Sequence, residues 1–208
     1  MKTLTTFLSF ILFITINAQT IYEVAPGIKT NQIVLTLSNI SEITNAENVT
    51  VRLLKSSSDL LFNKEEQVIK RIDAKGETEA TFTFDIKREA PVNVKDSVEF
   101  LITDNKSVFQ KKLFILNYTP PTNYKLEQNF PNPFNPVTTI QYQLPVDSKV
   151  TLKVYDILGA EVTTLVNEIQ QAGYKEVRFD ASTISSGAYV YNLTAGNYTS
   201  VKKMMVVK

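Results

Sequence analysis

The stretch Lys75-Gly76-Glu77-Thr78-Glu79-Ala80-Thr81-Phe82-Thr83-Phe84-Asp85-Ile86 decides the reading of the fold. A turn signal, Ala74-Lys75-Gly76, leads into alternation that puts Phe82, Phe84 and Ile86 on one face, the period of a half-buried strand. Working outward, the same period recurs at Ile33, Leu35 and Leu37, at Val49, Val51 and Leu53, and at Val98, Phe100 and Ile102. Over Lys112 to Tyr118, Leu113 and Ile115 take one face while Phe114 and Leu116 take the other. Asn45-Ala46-Glu47-Asn48, Ala90-Pro91 and Asp104-Asn105-Lys106 supply further turns. Six or seven short strands in roughly 100 residues predict an antiparallel β-sandwich of immunoglobulin type over residues 19–118. Ser56 to Glu66 lacks the alternation and is expected to cross between sheets.

The texture then changes. Thr119-Pro120-Pro121-Thr122-Asn123 holds two adjacent prolines, which fix φ and donate no hydrogen bond, so residues 119–123 read as a linker. Alternation resumes at Ile140, Tyr142 and Leu144, at Val150, Leu152 and Val154, at Val177 and Phe179, and at Tyr189, Tyr191 and Leu193, and it closes on Val201 and the run Met204 to Val207. Leu158, Val162, Leu165, Val166 and Ile169 also fit helical spacing. The β-branched Val162, Thr163, Thr164 and Val166, preceded by the hairpin signal Asp156-Ile157-Leu158-Gly159, favour a strand from Glu161 to Val166. Residues 124–208 are therefore expected to form a second small sandwich of about seven strands. The expected fold is all-β: two consecutive immunoglobulin-like sandwiches joined by a Pro-rich linker.

The N-terminus has the layout of a signal peptide. Lys2 precedes an apolar run from Phe7 to Ile16, and Ile16-Asn17-Ala18 before Gln19 offers a small residue at a cleavage point between Ala18 and Gln19. The run is shorter than the ~20 apolar residues that a membrane-spanning helix needs, so no transmembrane span is expected in the mature chain. Loss of Lys2 brings the 22 basic residues down to 21, equal to the 21 acidic ones, a balance that argues against a nucleic-acid partner. The chain has no Cys, which rules out disulfide stapling, thiolate metal sites and a lipid-modified Cys. It has no His either, which removes the commonest general base and metal ligand.

Three segments carry a resemblance. They are Leu126-Glu127-Gln128-Asn129-Phe130-Pro131-Asn132-Pro133-Phe134-Asn135-Pro136, then Val154-Tyr155-Asp156-Ile157-Leu158-Gly159-Ala160-Glu161-Val162, and then Phe179-Asp180-Ala181-Ser182 through Ser186-Gly187-Ala188-Tyr189 to Lys202-Lys203-Met204-Met205-Val206-Val207-Lys208. Together they resemble the type A C-terminal sorting domain of the type IX secretion system of Bacteroidetes. The resemblance implies export by the Sec route, recognition at the outer-membrane translocon, and clipping by its sortase with attachment to surface polysaccharide or release. It assigns the sorting motif to Asn129, Pro131, Asn132, Pro133, Phe134, Asn135, Pro136, Tyr155, Asp156, Gly159, Gly187, Lys202 and Lys203. The residues also have a local reading. Three prolines keep Asn129 to Pro136 extended, Asn132 and Asn135 can close Asx turns, and Phe130 and Phe134 can pin the strap to the sandwich. Gly159 suits a positive φ, as does Gly187. Lys202, Lys203 and Lys208 also suit an exposed edge strand.

No constellation in residues 19–118 points to catalysis, a cofactor or a metal. Glu65-Glu66 is the only directly adjacent acidic pair, and strand neighbours face opposite ways. Glu77 and Glu79 share a face beside a turn, and Asp96, Glu99 and Asp104 lack the spacing of a calcium loop. There is no Trp, and Tyr22 and Tyr118 lie at the block's ends, where partial burial is expected. Segments Glu47 to Leu53 and Lys75 to Phe84 resemble bacterial immunoglobulin-like surface modules. The expectation is an exported, non-catalytic structural or adhesive module, with a polysaccharide-binding accessory module as the alternative and a carboxylate-based hydrolase as a third reading.

Overall fold

The computed structural model describes residues 3–9, 20–105 and 109–208, the first of these by its backbone alone, and every regular element in them is a β-strand. The predicted cleavage pair, Ala18 and Gln19, lies outside the described residues. Two compact units divide the chain: Met1–Lys87 with Asn93–Thr119, and Arg88–Val92 with Pro120–Lys208.

The first unit holds β1 (Thr3–Ser9), β2 (Ile21–Val24), β3 (Asn31–Ser38), β4 (Ala46–Lys55), β5 (Leu60–Phe62), β6 (Glu66–Ile72), β7 (Glu77–Ile86), β8 (Lys95–Thr103) and β9 (Phe109–Tyr118). They form a sheet β1-β3-β7-β5 and a sheet β2-β9-β8-β4-β6. The alternation read from the sequence becomes the core: Ile33, Leu35, Leu37, Val49, Val51, Phe82, Phe84, Val98, Phe100, Ile102, Phe114 and Leu116 are all buried. Phe82 and Phe100 from opposite sheets lie 4.6 Å apart, and Phe100 meets Phe114 edge-on at 6.0 Å. Such pairs add about 0.5–1.5 kcal/mol beyond their burial.

Residues 56–66 cross between the sheets as expected: they leave β4, add β5 beside β7 in the other sheet, and lead back into β6 beside β4. Two features go beyond the expectation, the strand β5 itself and the parallel pairings. A strand of three residues is too short to display a period. The pairings β1 with β3 and β2 with β9 are parallel, within sheets otherwise antiparallel. After β2 the chain switches sheets at Gly27, whose positive φ of 77° lets its N–H reach Ile86 O at 3.1 Å.

The second unit holds β10 (Lys125–Leu126), β11 (Val137–Leu144), β12 (Ser148–Tyr155), β13 (Glu161–Gln170), β14 (Gly173–Asp180), β15 (Gly187–Ala195) and β16 (Tyr198–Val206). The sheets are β10-β11-β14 and β13-β12-β15-β16. Leu126, Phe134, Ile140, Tyr142, Leu144, Val150, Leu152, Val154, Phe179, Tyr191, Leu193, Met204 and Val206 form one buried cluster. The ambiguous stretch is a strand that runs past Val166 to Gln170, its register with β12 shifted beside Lys153 and Tyr155. Of the segment 119–123, Thr119 donates its N–H to Val24 O at 2.8 Å and Pro121 is buried.

Candidate functional site

The residues expected to matter gather in the second unit, on a strap before β11, on the β12–β13 hairpin and on the last strand. The strap runs over residues 127–136. Pro131, Pro133 and Pro136 supply no N–H, so the chain there cannot form a regular ladder and side chains take over. The Phe130–Pro131 and Asn132–Pro133 peptide bonds are cis.

Asn129 is the buried root of the strap. Its N–H donates to the Tyr191 hydroxyl at 2.8 Å, and that hydroxyl donates to Glu127 O at 2.9 Å. Its Nδ2 donates to Pro131 O and to Thr138 Oγ1, each at 3.0 Å. Thr138, also buried, donates to the same Pro131 O at 2.8 Å. Burial holds the Tyr191 phenol up at about 12, so at neutral pH it is a fixed neutral donor and acceptor.

Further along, the strap lies against the outer edge of β16. Gln128 Nε2 donates to Lys203 O at 2.7 Å, with Asn132 Nδ2 on the same oxygen at 3.4 Å. Asn132 Oδ1 accepts the Met205 N–H at 2.9 Å. Phe134 donates its N–H to Met205 O at 3.0 Å and accepts from Val207 N–H at 2.9 Å, a parallel bridge opposite Val206. The edge of the terminal strand is therefore occupied at four backbone groups, and this is how an exposed edge is kept from pairing with other chains.

Both phenylalanines of the strap were expected to anchor it; only Phe134 does. It is buried, with Phe179 at 6.0 Å. Phe130 is 80% exposed, because its backbone exchanges two 3.0 Å hydrogen bonds with Thr139 and turns the ring outward. Asn132 serves β16 through its side chain, and Asn135 is exposed.

At the hairpin, Asp156 Oδ1 accepts the N–H groups of Leu158 and Ala160, both at 2.9 Å, and Gly159 takes a φ of 85°. Tyr155, half-buried, ends β12. Beside it Lys153 Nζ lies 2.7 Å from Glu161 Oε2; their shared hydrogen bond holds the lysine up and the carboxyl down. Gly187 opens β15 opposite Val206, Lys202 pairs with Tyr191, and Lys203 is exposed opposite Val190. Lys208 Nζ donates to Ser182 O at 2.7 Å. Sequence reasoning missed Tyr191 and Thr138 as the strap's inner partners. It also missed Gly196, whose φ of 56° supplies the positive φ that the primed two-residue turns of hairpins require at their first position.

In the first unit Glu65, Glu66, Glu77 and Glu79 are exposed, and Glu99 pairs with Lys111 at 3.3 Å. Among the described residues no group of three His, Cys, Asp or Glu is placed to hold a metal, and no helix is long and apolar enough to cross a membrane. Tyr118, expected to be partly buried, is fully so. Its hydroxyl donates to Asp96 Oδ2 at 2.7 Å, Ser57 Oγ donates to the same oxygen, and Ser97 N–H donates to Oδ1 at 2.7 Å. Ser57 and Asp96 lie 39 residues apart, a separation at which no local pattern announces the contact. The Asp96 cluster ties strand ends together beside an open hollow of about 310 Å³ lined by Ile21, Lys95 and Ile115.

Dimeric latent PorU from Porphyromonas gingivalis is a structural neighbour at 16% identity and TM-score 0.34, aligned over 93% of this chain and 19% of its own. The CsuC–CsuE chaperone–tip adhesion subunit complex of Acinetobacter baumannii aligns at 9% identity and TM-score 0.31, over 90% and 96% of the two chains. The calcium-binding domain CBD12 of CALX1.1 aligns at 9% and 0.34, over 84% and 77%. The chain thus spans about a fifth of the PorU chain it matches. No curated protein matches it in sequence. The family model described as Secretion system C-terminal sorting domain matches residues 128–208, from the strap to the terminal strand, so it is the C-terminal block that is similar to such sorting domains.

Proposed function

We propose that this chain is an exported protein whose C-terminal unit is the address read by the type IX machinery, and whose first unit is a non-catalytic structural or adhesive cargo. The observation that carries the reading is the sorting-domain match over residues 128–208. Its geometry suits an address. The strap is held to Tyr191 and to the edge of β16, and the β12–β13 hairpin is fixed by Asp156, through hydrogen bonds between side chains and backbone. In this reading the N-terminal segment is a Sec signal peptide cleaved after Ala18. Residues 19–118 are an immunoglobulin-like module delivered outside the outer membrane, and the sorting unit is clipped by the translocon's sortase. Support for a structural cargo is the conversion of its alternating residues into one aromatic-rich core, with the half-buried carboxylate of Asp96, near the start of β8, tied into the framework.

Intact-mass measurement of the protein recovered from the cell surface or medium tests this. The expected species begins at Gln19 and lacks the C-terminal unit. A species that retains Tyr124 to Lys208 contradicts the clipping, and one that retains Met1 contradicts the Sec step.

A further inference from the structure

Strand β3 has β7 on one side, and on the other it has the chain's own first strand. β1 runs parallel to it in unbroken register, from Thr3 opposite Gln32 to Ser9 opposite Ser38. Cleavage after Ala18 removes β1 whole, because every residue of β1 precedes that point. The strand that follows does not refill the place: β2 pairs with β9 in the other sheet, and the chain reaches β3 only after the switch at Gly27. In the mature chain β3 is therefore a sheet edge.

An edge presents a row of unpaired N–H and C=O groups, which proteins blunt with charge, shortness or cover. The other sheet margins among the described residues all do so. β6 carries Glu66, Lys70 and Arg71, β13 carries Glu161 and Glu168, and β14 carries Lys175, Glu176 and Arg178. β2, β5 and β10 are short, and β16 lies under the strap. β3 has none of these devices: Asn31-Gln32-Ile33-Val34-Leu35-Thr36-Leu37-Ser38 holds no charge, no Pro and no Gly. Its residues Ile33 to Leu37 are buried while β1 is in place, so the loss of β1 uncovers apolar side chains together with backbone.

The strand is also complementary to itself. An antiparallel copy turned about a two-fold axis at Leu35 sets Leu35 against the partner's Leu35 and Ile33 against the partner's Leu37 on the core face. On the other face Val34 meets the partner's Thr36, and Gln32 meets the partner's Ser38. Aliphatic residues meet in the middle and polar ones at the ends, with no charge opposed to another.

We propose that the mature chain pairs β3 with β3 of a second copy, across a two-fold axis at Leu35, in one continuous sheet of order β5-β7-β3-β3-β7-β5. This rests on the Sec cleavage proposed above. A two-fold contact uses the same edge on both copies and closes on itself, so it yields a dimer and not a fibre.

The test expresses the full chain, with its own signal segment, in a bacterium that has Sec and lacks a type IX system, so that residues 19–208 collect in the periplasm. Intact mass fixes the N-terminus, and sedimentation from about 1 to about 200 μM, the range of a small interface, reads the oligomeric state. The expected species begins at Gln19 and reaches twice its chain mass at the upper concentrations. Val34→Lys with Thr36→Lys opposes like charges across the axis and is expected to weaken association roughly tenfold or more. Val34→Glu with Thr36→Glu is expected to do the same. An equimolar mixture of the two variants brings opposite charges together and is expected to recover the dimer, a result that misfolded chains do not give. A Gln19 chain that stays monomeric, variants that associate as the parent does, or a mixture that stays monomeric overturns the β3 pairing and leaves the cleavage standing. A chain that retains Met1 overturns the cleavage, and the β3 pairing falls with it.

Discussion

Asn132 Oδ1 accepts the backbone N–H of Met205 at 2.9 Å, across 73 residues of sequence. A side-chain amide stands there where the carbonyl of a neighbouring strand would stand in a continued sheet. The substitution follows from the prolines on either side. They keep the strap extended but strip it of donors, so Gln128 and Asn132 reach out to serve Lys203 and Met205. The strap is a fitted cover for one sheet edge.

Removal of that amide uncovers the edge. Asn132→Ala is expected to cost about 0.5–1.5 kcal/mol of stability, the usual worth of a net hydrogen bond, and to raise the chain's tendency to associate. Asn132→Asp keeps the acceptor for Met205 and loses the donor to Lys203, so it should fall between. Denaturant unfolding with light scattering checks the order; an Ala variant as stable as the parent and no more associated contradicts the covering role.

Tyr191 holds the root of the strap from inside the core. Tyr191→Phe leaves the buried Asn129 N–H without its acceptor, and is expected to destabilise the fold by about 1–3 kcal/mol. Tyr189, whose hydroxyl donates to Ser185 O at the surface, is the internal control, and Tyr189→Phe should cost less than about 0.5 kcal/mol. Equal costs for the two variants contradict the assignment.

Alkaline pH addresses the same phenols. Burial raises Tyr142 and Tyr191 to about 12, and burial with the Asp96 hydrogen bond raises Tyr118 further. Above the ordinary phenol value near 10 the unfolded chain releases protons that the folded chain keeps. Their contribution is therefore fully present below pH 10 and is lost as pH climbs towards 12, at up to about 1.4 kcal/mol per pH unit for each tyrosine. Urea midpoints at pH 8 and pH 11 should differ accordingly, and the difference should shrink in Tyr142→Phe. Equal midpoints contradict the buried, neutral state.

What the sequence revealed was whatever a short window contains. Phe82, Phe84 and Ile86 declared their face by period alone, and Gly159 declared a turn by its lack of Cβ; both occupy the places the pattern implied. Phe130 and Phe134 show the limit. Both are aromatic and four residues apart, yet one is exposed and one buried, because their orientation depends on which strand each backbone segment meets. Asp96 with Ser57 and Asn132 with Met205 were equally hidden, since their partners are set by topology at long range. The β5 strand was missed because three residues cannot display alternation.

The central claim is that the C-terminal unit directs export, and localisation of the full chain beside a chain lacking residues 124–208 tests it most directly. The expected result is full-length-derived protein at the cell surface or in the medium, and the truncated chain retained behind the outer membrane. A truncated chain that reaches the exterior as efficiently as the parent contradicts the account.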